Sequence, residues 1–420
     1  MTTVRVPRLL ASTALTCALV TAAAGCTLNP RPATATTPTS TASSPGTSAA
    51  PPVDIAPDPL EQDAELTLLA AGDVLPHDPL NDSATGPSGI DYSPLLAGID
   101  PWVAGADLAL CHLEVPVAPP GTLPSGYPVF RAPKELVRDL GEQGWDGCST
   151  ASNHAADAGY DGVAATLDAL DRAGMGHVGT ARDQHESLGA QYYELRRSGR
   201  IVTIAHLAAA YGLNGFSPPR GDWSVDLIDT KRIVRQAKAA RAAGADLVVV
   251  SLHDGVEYVT EPTPHQRDTT RALARSRQVD LVIGHHAHVP QPVERLRGGP
   301  EGDGMWVAYG LSNLISNQGP DCCGTASAVG LLLIADIVQP PDEPAHVEDV
   351  RWAATTVDLA AGHRLRSTRE ALAHPGDGQL TVAELQERLQ IAQDAAGDAA
   401  DEQGRPPSPT GKPPRVVPRS

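Results

Sequence analysis

Aromatic side chains are scarce, making up 4% of the 420 residues with only two phenylalanines among them. The core must therefore be assembled mainly from Ala, Val and Leu. Positive charge is also short, with 32 Lys and Arg against 50 Asp and Glu and a net charge of −18. That balance argues against nucleic acid, or an anionic membrane surface, as a partner held by bulk electrostatics. An acidic ligand would have to be held by local arginines or metal ions. The apolar stretch behind Arg5 and Arg8 is too short and too rich in small residues for a comfortable membrane span. The length leaves room for one large domain or two ordinary ones.

That stretch ends in Ala23-Ala24-Gly25-Cys26, which resembles the bacterial lipoprotein processing box with alanine where leucine is usual. Residues 1–25 are expected to be a signal peptide and Cys26 the lipidated first residue of the mature chain. This would anchor the protein by its lipid to the extracellular face of the bacterial cell membrane; an ordinary secretory signal with a chance cysteine is the alternative. Residues 26–60 are mostly Thr, Ser, Pro and Ala and cannot bury enough surface to fold, so a disordered spacer is expected. A folded domain over 61–400 and a disordered Pro/Arg-rich tail over 401–420 complete the expected layout. In an oxidising compartment Cys111, Cys148, Cys322 and Cys323 can form disulfides. Cys111 and Cys148, both at predicted strand ends, are the favoured pair, with free buried thiols the alternative.

Within the domain, short apolar runs alternate with helical spacing. Strands are predicted over 65–71, 107–110, 145–149, 200–205, 246–252 and at 280–283, and helices over 132–143, 159–173, 230–243 and 262–278. This alternation predicts a layered α/β sheet with covering helices. From 305 onward the pattern changes to strands over 305–311, 328–338 and 347–359 without intervening helices, expected to pair antiparallel, and a late helix over 380–395.

The most informative stretch is Leu281-Val282-Ile283-Gly284-His285-His286-Ala287-His288-Val289-Pro290. A buried strand closed by glycine delivers histidines to the loop at its carboxyl end, where open α/β sheets place their chemistry. In an extended segment His286 and His288 point to opposite sides, so a shared metal site needs a kink or two ions side by side. Other strands end alike: in Gly72-Asp73, in Cys111-His112-Leu113-Glu114, in Ser152-Asn153-His154 and in His253-Asp254-Gly255. Any one of these is an ordinary turn residue on its own. As a set, Asp73, Glu114, Asn153, His253, His286 and His288, with His154 beside them, offer carboxylate, amide and imidazole donors suited to Mn, Fe or Zn, with enough ligands for one or two divalent ions. Such a site can polarise a phosphoryl or carbonyl oxygen and activate water at neutral pH.

The ordered set Gly-Asp, Leu-Glu, Asn-His, lone His and His-x-His resembles the calcineurin-like metallophosphoesterase superfamily. More closely, it resembles the capsule-synthesis CapA (PgsA-like) family linked to poly-γ-glutamate. The resemblance covers about 66 to 332 and includes Glu257, Tyr258 and Tyr309-Gly310-Leu311-Ser312-Asn313. It implies a metallophosphoesterase-like β-sandwich flanked by helices, with the six residues above as metal ligands. It further implies that His154 is the general acid beside the leaving group, and that Glu257, Tyr258 and Asn313 line a substrate pocket. Arg131 is a candidate for offsetting repulsion between an anionic polymer and this acidic chain. The sequence departs from the wider pattern at Leu75, where a histidine is usual with His77 two further on, at Glu114, where aspartate is usual, and at Asp254, where tryptophan is common. The implied activity is metal-assisted hydrolysis or transfer at an amide or ester bond of poly-γ-glutamate or a related envelope polymer. A non-catalytic scaffold of a polymer synthesis or export complex, and an extracellular phosphodiesterase, are the alternatives. With no recognisable ATP-binding loop, a synthetic role is expected to need other subunits.

Overall fold

The computed structural model describes residues 59–419. The expected signal peptide, Cys26 and the spacer up to residue 58 lie outside the described residues. No helix among the described residues is long and apolar enough to cross a membrane.

In chain order the principal elements are β1 (Ala64–Leu75), β2 (Leu108–Leu113), α1 (Lys134–Gln143), β3 (Gly147–Ser149), α2 (Gly159–Arg172), β4 (Gly176–Val178), β5 (Gln191–Arg197) and β6 (Arg200–Ala210). They continue with α3 (Thr230–Ala242), β7 (Leu247–His253), α4 (Pro264–Ser276), β8 (Leu281–His285), β9 (Val293–Leu296), β10 (Met305–Ala308) and β11 (Asn313–Ser316). Last come β12 (Val329–Gln339), β13 (His346–Asp358), β14 (Arg364–Ser367), α5 (Val382–Ala396), β15 (Asp401–Glu402) and β16 (Arg415–Val417). One sheet runs β14-β13-β12-β1-β2-β3-β4, with β11 beside β1 and β15 beside β13; the other runs β9-β10-β8-β7-β6-β5-β16.

Alternation along the strands builds the layers. On β1, Leu66, Leu68 and Ala70 face the second sheet and pack with Tyr193, Val249 and Ile283, while Leu69 and Ala71 face the opposite way. There Leu136 and Leu140 of α1 and Val163 and Leu167 of α2 cover the first sheet. On the far side Ile233 and Ala237 of α3 and Leu273 of α4 cover the second. The result is helix, sheet, sheet, helix, as the alternation predicts. Thr263 and Gln266 form a reciprocal capping box that starts α4, and Asp229 caps α3 through the Lys231 and Arg232 N–H groups.

Four aspartates at the starts of parallel strands repeat one device. Each accepts a hydrogen bond from the neighbouring strand and returns one through its own N–H. Thr67 N–H donates to Asp107 at 2.8 Å, Ala109 to Asp146 at 2.8 Å, Thr203 to Asp246 at 2.7 Å and Val248 to Asp280 at 2.6 Å. The reverse bonds run to Thr67, Ala109, Thr203 and Val248 carbonyls. These clamps fix register at the end opposite the histidines. Asp107 also meets Arg197 of the second sheet at 2.6 Å, with both side chains buried.

Two expectations are corrected. Met305–Ala308 lies in the second sheet, parallel to β8 on one side and antiparallel to β9 on the other, instead of in a C-terminal extension, whereas β12 and β13 do pair antiparallel and join the first sheet beside β1. Residues 401–420 are not a disordered tail up to residue 419. Arg415–Val417 adds to β5, and Arg419 is half-buried with its guanidinium donating to the carbonyls of His177, Thr180 and Glu186. Composition gave no sign of this, because the order comes from backbone pairing and one arginine. Cys111 and Cys148, opposite one another on β2 and β3, form the favoured disulfide; Cys322 and Cys323 form a second.

Replacing Asp107 by alanine removes a strand clamp and leaves Arg197 buried without its partner. We predict a loss of about 3 kcal/mol or more in chemical denaturation; a change within about 0.5 kcal/mol, the usual size for a surface substitution, would show the clamp to be dispensable.

Candidate metal centre

The carboxyl ends of β1, β2, β3, β7 and β8 bring the expected ligands together. Close backbone crossings make this possible. A side chain at Gly72 would meet the Ser312 carbonyl at 2.1 Å, and one at Gly284 the Tyr309 carbonyl at 1.8 Å, so each glycine lets the 308–312 segment run against the strand just before a ligand. His286 and His288 both take left-handed backbone conformations, φ 87° and 53°. This supplies the required kink, at roughly 1 kcal/mol or more per residue. Both remain on the loop after β8, yet both are buried.

Glu114 stands at the middle. Its Oε1 lies 3.8 Å from both His253 Nε2 and His288 Nε2. Such separations are too long for a hydrogen bond, but shorter than twice a metal–nitrogen or metal–oxygen distance of about 2.1 Å. Asn153 Oδ1 is 2.9 Å from His253 Nε2. Asp73 Oδ2 accepts from the His286 N–H at 3.0 Å and lies 3.2 Å from His288 Nδ1. Asp73 Oδ1, both Glu114 oxygens and His286 Nδ1 are buried without a hydrogen-bond partner. Leaving charged oxygens so placed costs about 1–3 kcal/mol each or more, a cost that a bound cation removes. The donor set therefore fits a divalent metal.

Among the described residues, two groups of three potential donors lie within mutual reach, Glu114 with His286 and His288, and Asp73 with His112 and His285. Ring orientation separates them. An imidazole coordinates in its own plane, and the His286 and His288 planes cross at 61° with centroids 6.0 Å apart. His112 and His285 are stacked 4.0 Å apart at 15°, so their planes do not meet at a common ion. We therefore place His112 and His285 behind the centre.

Charge follows the same geometry. Burial alone would raise Asp73, but His285 and His288 hold it well below the usual carboxylate range. Burial alone would lower His288, yet Glu114 and Asp73 raise it to about 9. Burial raises Glu114, with His288 opposing. His286 falls to about 4 through burial and repulsion from His288. His154 is raised: burial opposes its charge, but Asp157 Oδ2, 2.7 Å from Nδ1, outweighs it with Glu114 adding. Asp157 also accepts from the Phe130 N–H, and this fixed carboxylate leaves His154 Nε2 as the end free for proton exchange.

The remaining expected residues fall around this centre. Tyr258, in a left-handed conformation at φ 63°, is exposed on the rim beside Glu257 and has its ring 6.2 Å from that of His288. Asn313 is buried behind His288, its Oδ1 3.0 Å from Nδ1, and donates to Gln318, which in turn donates to the Tyr258 hydroxyl. Arg131 pairs with Ser125 on its own loop instead of with the cluster. Leu75 is core. His77 turns back to the Leu75 carbonyl at 3.1 Å and is lowered to about 4 by burial, so it does not replace the usual histidine. Asp254 binds His265 and the Gly255 N–H, tying down its loop.

Sequence reasoning passed over His112, His285, Asp157 and Tyr211, whose ring lies 4.6 Å from that of His286. For His112 a signal was present, since it stands two residues before Glu114 and on the same strand face. All four aromatic residues that are more than a third exposed among the described residues, Tyr127, Tyr211, Phe216 and Tyr258, are on the loops after β2, β6 and β7.

The sequence profile described as bacterial capsule synthesis protein PGA_cap matches residues 67–318, and the chain belongs to that family. It is 25% identical over 272 residues to the capsule biosynthesis protein CapA of Bacillus anthracis, covering 63% of each chain. It is 27% identical over 186 residues to the PGA biosynthesis protein CapA of Bacillus subtilis, covering 44% of this chain and 46% of that one. The chain thus spans less than two thirds of the length of these curated relatives. Among solved structures it is similar to the calcineurin-like phosphoesterase YfkN of Bacillus subtilis, at 12% identity and TM-score 0.42, covering 79% of this chain and 97% of that one. A likeness this loose identifies no activity.

Cation binding at His288 requires the neutral ring, whereas the metal-free ring is protonated below about 9. We predict that affinity for Mn2+ or Zn2+ rises by up to about tenfold per pH unit and levels off above pH 9, measured by calorimetric titration. The sign for the metal-free fold is opposite: a raised imidazole stabilises it fully below pH 6.5 and the contribution fades as pH climbs through about 9. A cation affinity independent of pH from 6.5 to 9 would contradict this assignment.

Proposed function

We propose that the protein is a metal-dependent hydrolase or transferase acting at amide or ester bonds of poly-γ-glutamate or a related cell-envelope polymer. It would work at the extracellular face of the bacterial membrane, tethered by a lipid on Cys26. Asp73, Glu114, Asn153, His253, His286 and His288 hold one or two divalent ions, of Mn, Fe or Zn character. A cation bound there supplies Lewis-acid polarisation of the scissile carbonyl and activation of water.

The single observation that carries this reading is the set of buried, unpartnered carboxylate oxygens facing convergent imidazoles, with a raised His154 next to them. The chain's own groups divide the work. His154, with its protonated form favoured and braced by Asp157, donates a proton from Nε2 to the leaving amine or alcohol. Tyr258 and Tyr211 on the rim offer flat, amphipathic surfaces against which a polymer backbone lies. The groups that most perturb Glu114 and His288 are histidines and carboxylates, with Glu257 among them. An anionic polymer is therefore neutralised by the bound cations, not by Arg131.

The buried Leu75, filling the position of a usual histidine, favours a second reading in which the centre is structural and the protein is a scaffold for polymer synthesis or export subunits. His154→Ala separates the two. We expect unchanged metal content and a fall of about 10²–10⁴-fold in release of amine ends from poly-γ-glutamate, with a generic phosphodiester as the parallel substrate. An unchanged rate would remove His154 from the chemistry. Absence of turnover on poly-γ-glutamate and related envelope polymers, with the cation bound, leaves the scaffold; turnover of the phosphodiester alone makes the protein a phosphodiesterase.

A further inference from the structure

His112 is completely buried, and both its ring nitrogens are engaged. Nδ1 lies 2.7 Å from Ser149 Oγ and Nε2 lies 2.9 Å from His253 Nδ1. His253 is likewise fully buried, and its Nε2 faces Asn153 Oδ1 at 2.9 Å and Glu114 Oε1 at 3.8 Å. Ser149, His112, His253 and Asn153 therefore form one continuous chain of contacts from beneath the sheet's edge into the centre.

With neutral rings each imidazole carries a single proton, so the chain has two consistent orientations. In the first, the Ser149 hydroxyl donates to His112 Nδ1, His112 Nε2–H donates to His253 Nδ1, and His253 Nε2–H donates to Asn153 Oδ1. His253 then has no lone pair for a cation. In the second, His253 Nδ1–H donates to His112 Nε2, and His112 Nδ1–H donates to Ser149 Oγ. His253 Nε2 now turns a lone pair toward Asn153 Oδ1 and Glu114 Oε1, and the three acceptors facing one another repel unless a cation lies between them. No proton is gained or lost between the two orientations; each moves across one ring.

We propose that His112 is a positioning residue that sets which nitrogen of His253 carries the proton, and so presents Nε2 to a divalent ion. The stacking against His285 and the two engaged nitrogens exclude His112 itself as a ligand. This role rests on the reading that the centre binds a cation, and it assigns to His112 a task that neither the motif set nor the family match gives it. A hydrogen-bond partner behind a metal-binding histidine fixes its orientation and tautomer, and its loss typically weakens metal affinity by about 10–100-fold.

The test titrates Co2+ into the full chain, wild type, His112→Leu and His112→Gln, reading affinity by calorimetry and coordination by visible absorption. Leucine removes both bonds while filling the space. The glutamine side-chain oxygen can still accept from His253 Nδ1. We expect His112→Leu to bind Co2+ about 10–100-fold more weakly with an altered spectrum, and His112→Gln to stay within a few-fold of wild type. Wild-type affinity in His112→Leu, even with a lowered melting temperature, overturns the proposal, as does an equal loss in both variants. If His112→Leu does not fold, Ser149→Ala frees the His112 tautomer and should lower affinity in the same direction; unchanged affinity there also overturns it. A wild-type chain that binds no Co2+ overturns the metal centre itself, and a wild-type chain that binds while His112→Leu binds equally well overturns only the role of His112.

Discussion

Asp73 and Glu114 lie with zero exposure at the rim of the first sheet, with three of their four oxygens lacking a hydrogen-bond partner. Much of the remaining architecture can be read as accommodating that burial. A buried carboxylate persists only where hydrogen-bond donors or opposite charge compensate it. Here the compensation comes from imidazoles carried by the other sheet, His285 and His288 at Asp73 and His288 at Glu114. The two sheets are thus joined by an apolar interior along their length and by an electrostatic requirement at one end.

The opposite end is built from different chemistry. Asp107, Asp146, Asp246 and Asp280 are also buried or nearly so, but each is satisfied by a backbone N–H. Burial raises Asp146 and Asp280 to about 7, whereas Asp73 is driven down by its histidines. One residue type therefore serves as register clamp at strand starts and as candidate cation ligand at strand ends. What separates the roles is whether the facing group is an amide hydrogen or a ring nitrogen. The chain belongs to the bacterial capsule synthesis protein PGA_cap family, and its unsatisfied donor set fits a bound cation.

The candidate ligands were legible because each one follows an apolar run closed by a glycine or a short polar stretch, and such runs become strands whose carboxyl ends share one edge. The layers were legible for the same reason. His112 was less so, because a histidine inside an apolar strand reads as core until its neighbour across the centre is known. The order of residues 401–419 was not legible at all, since Pro/Arg-rich composition carries no apolar period and the pairing of Arg415–Val417 with β5 is made by backbone groups that every sequence possesses. Nor could the place of β10 between β8 and β9 be read, because strand neighbours depend on how the chain returns, not on the strand's residues.

The sequence by itself determined the donor types, their order along the chain and the alternating pattern that makes two sheets and their covering helices. Only the tertiary structure decided which donors face a common point, which imidazoles stand behind them and which expected pocket residues are turned elsewhere. The physical reason is that coordination depends on ring planes and distances of a few ångströms between residues up to more than two hundred positions apart. Those are fixed by packing, by two left-handed histidines and by glycines at backbone crossings, none of which local composition encodes.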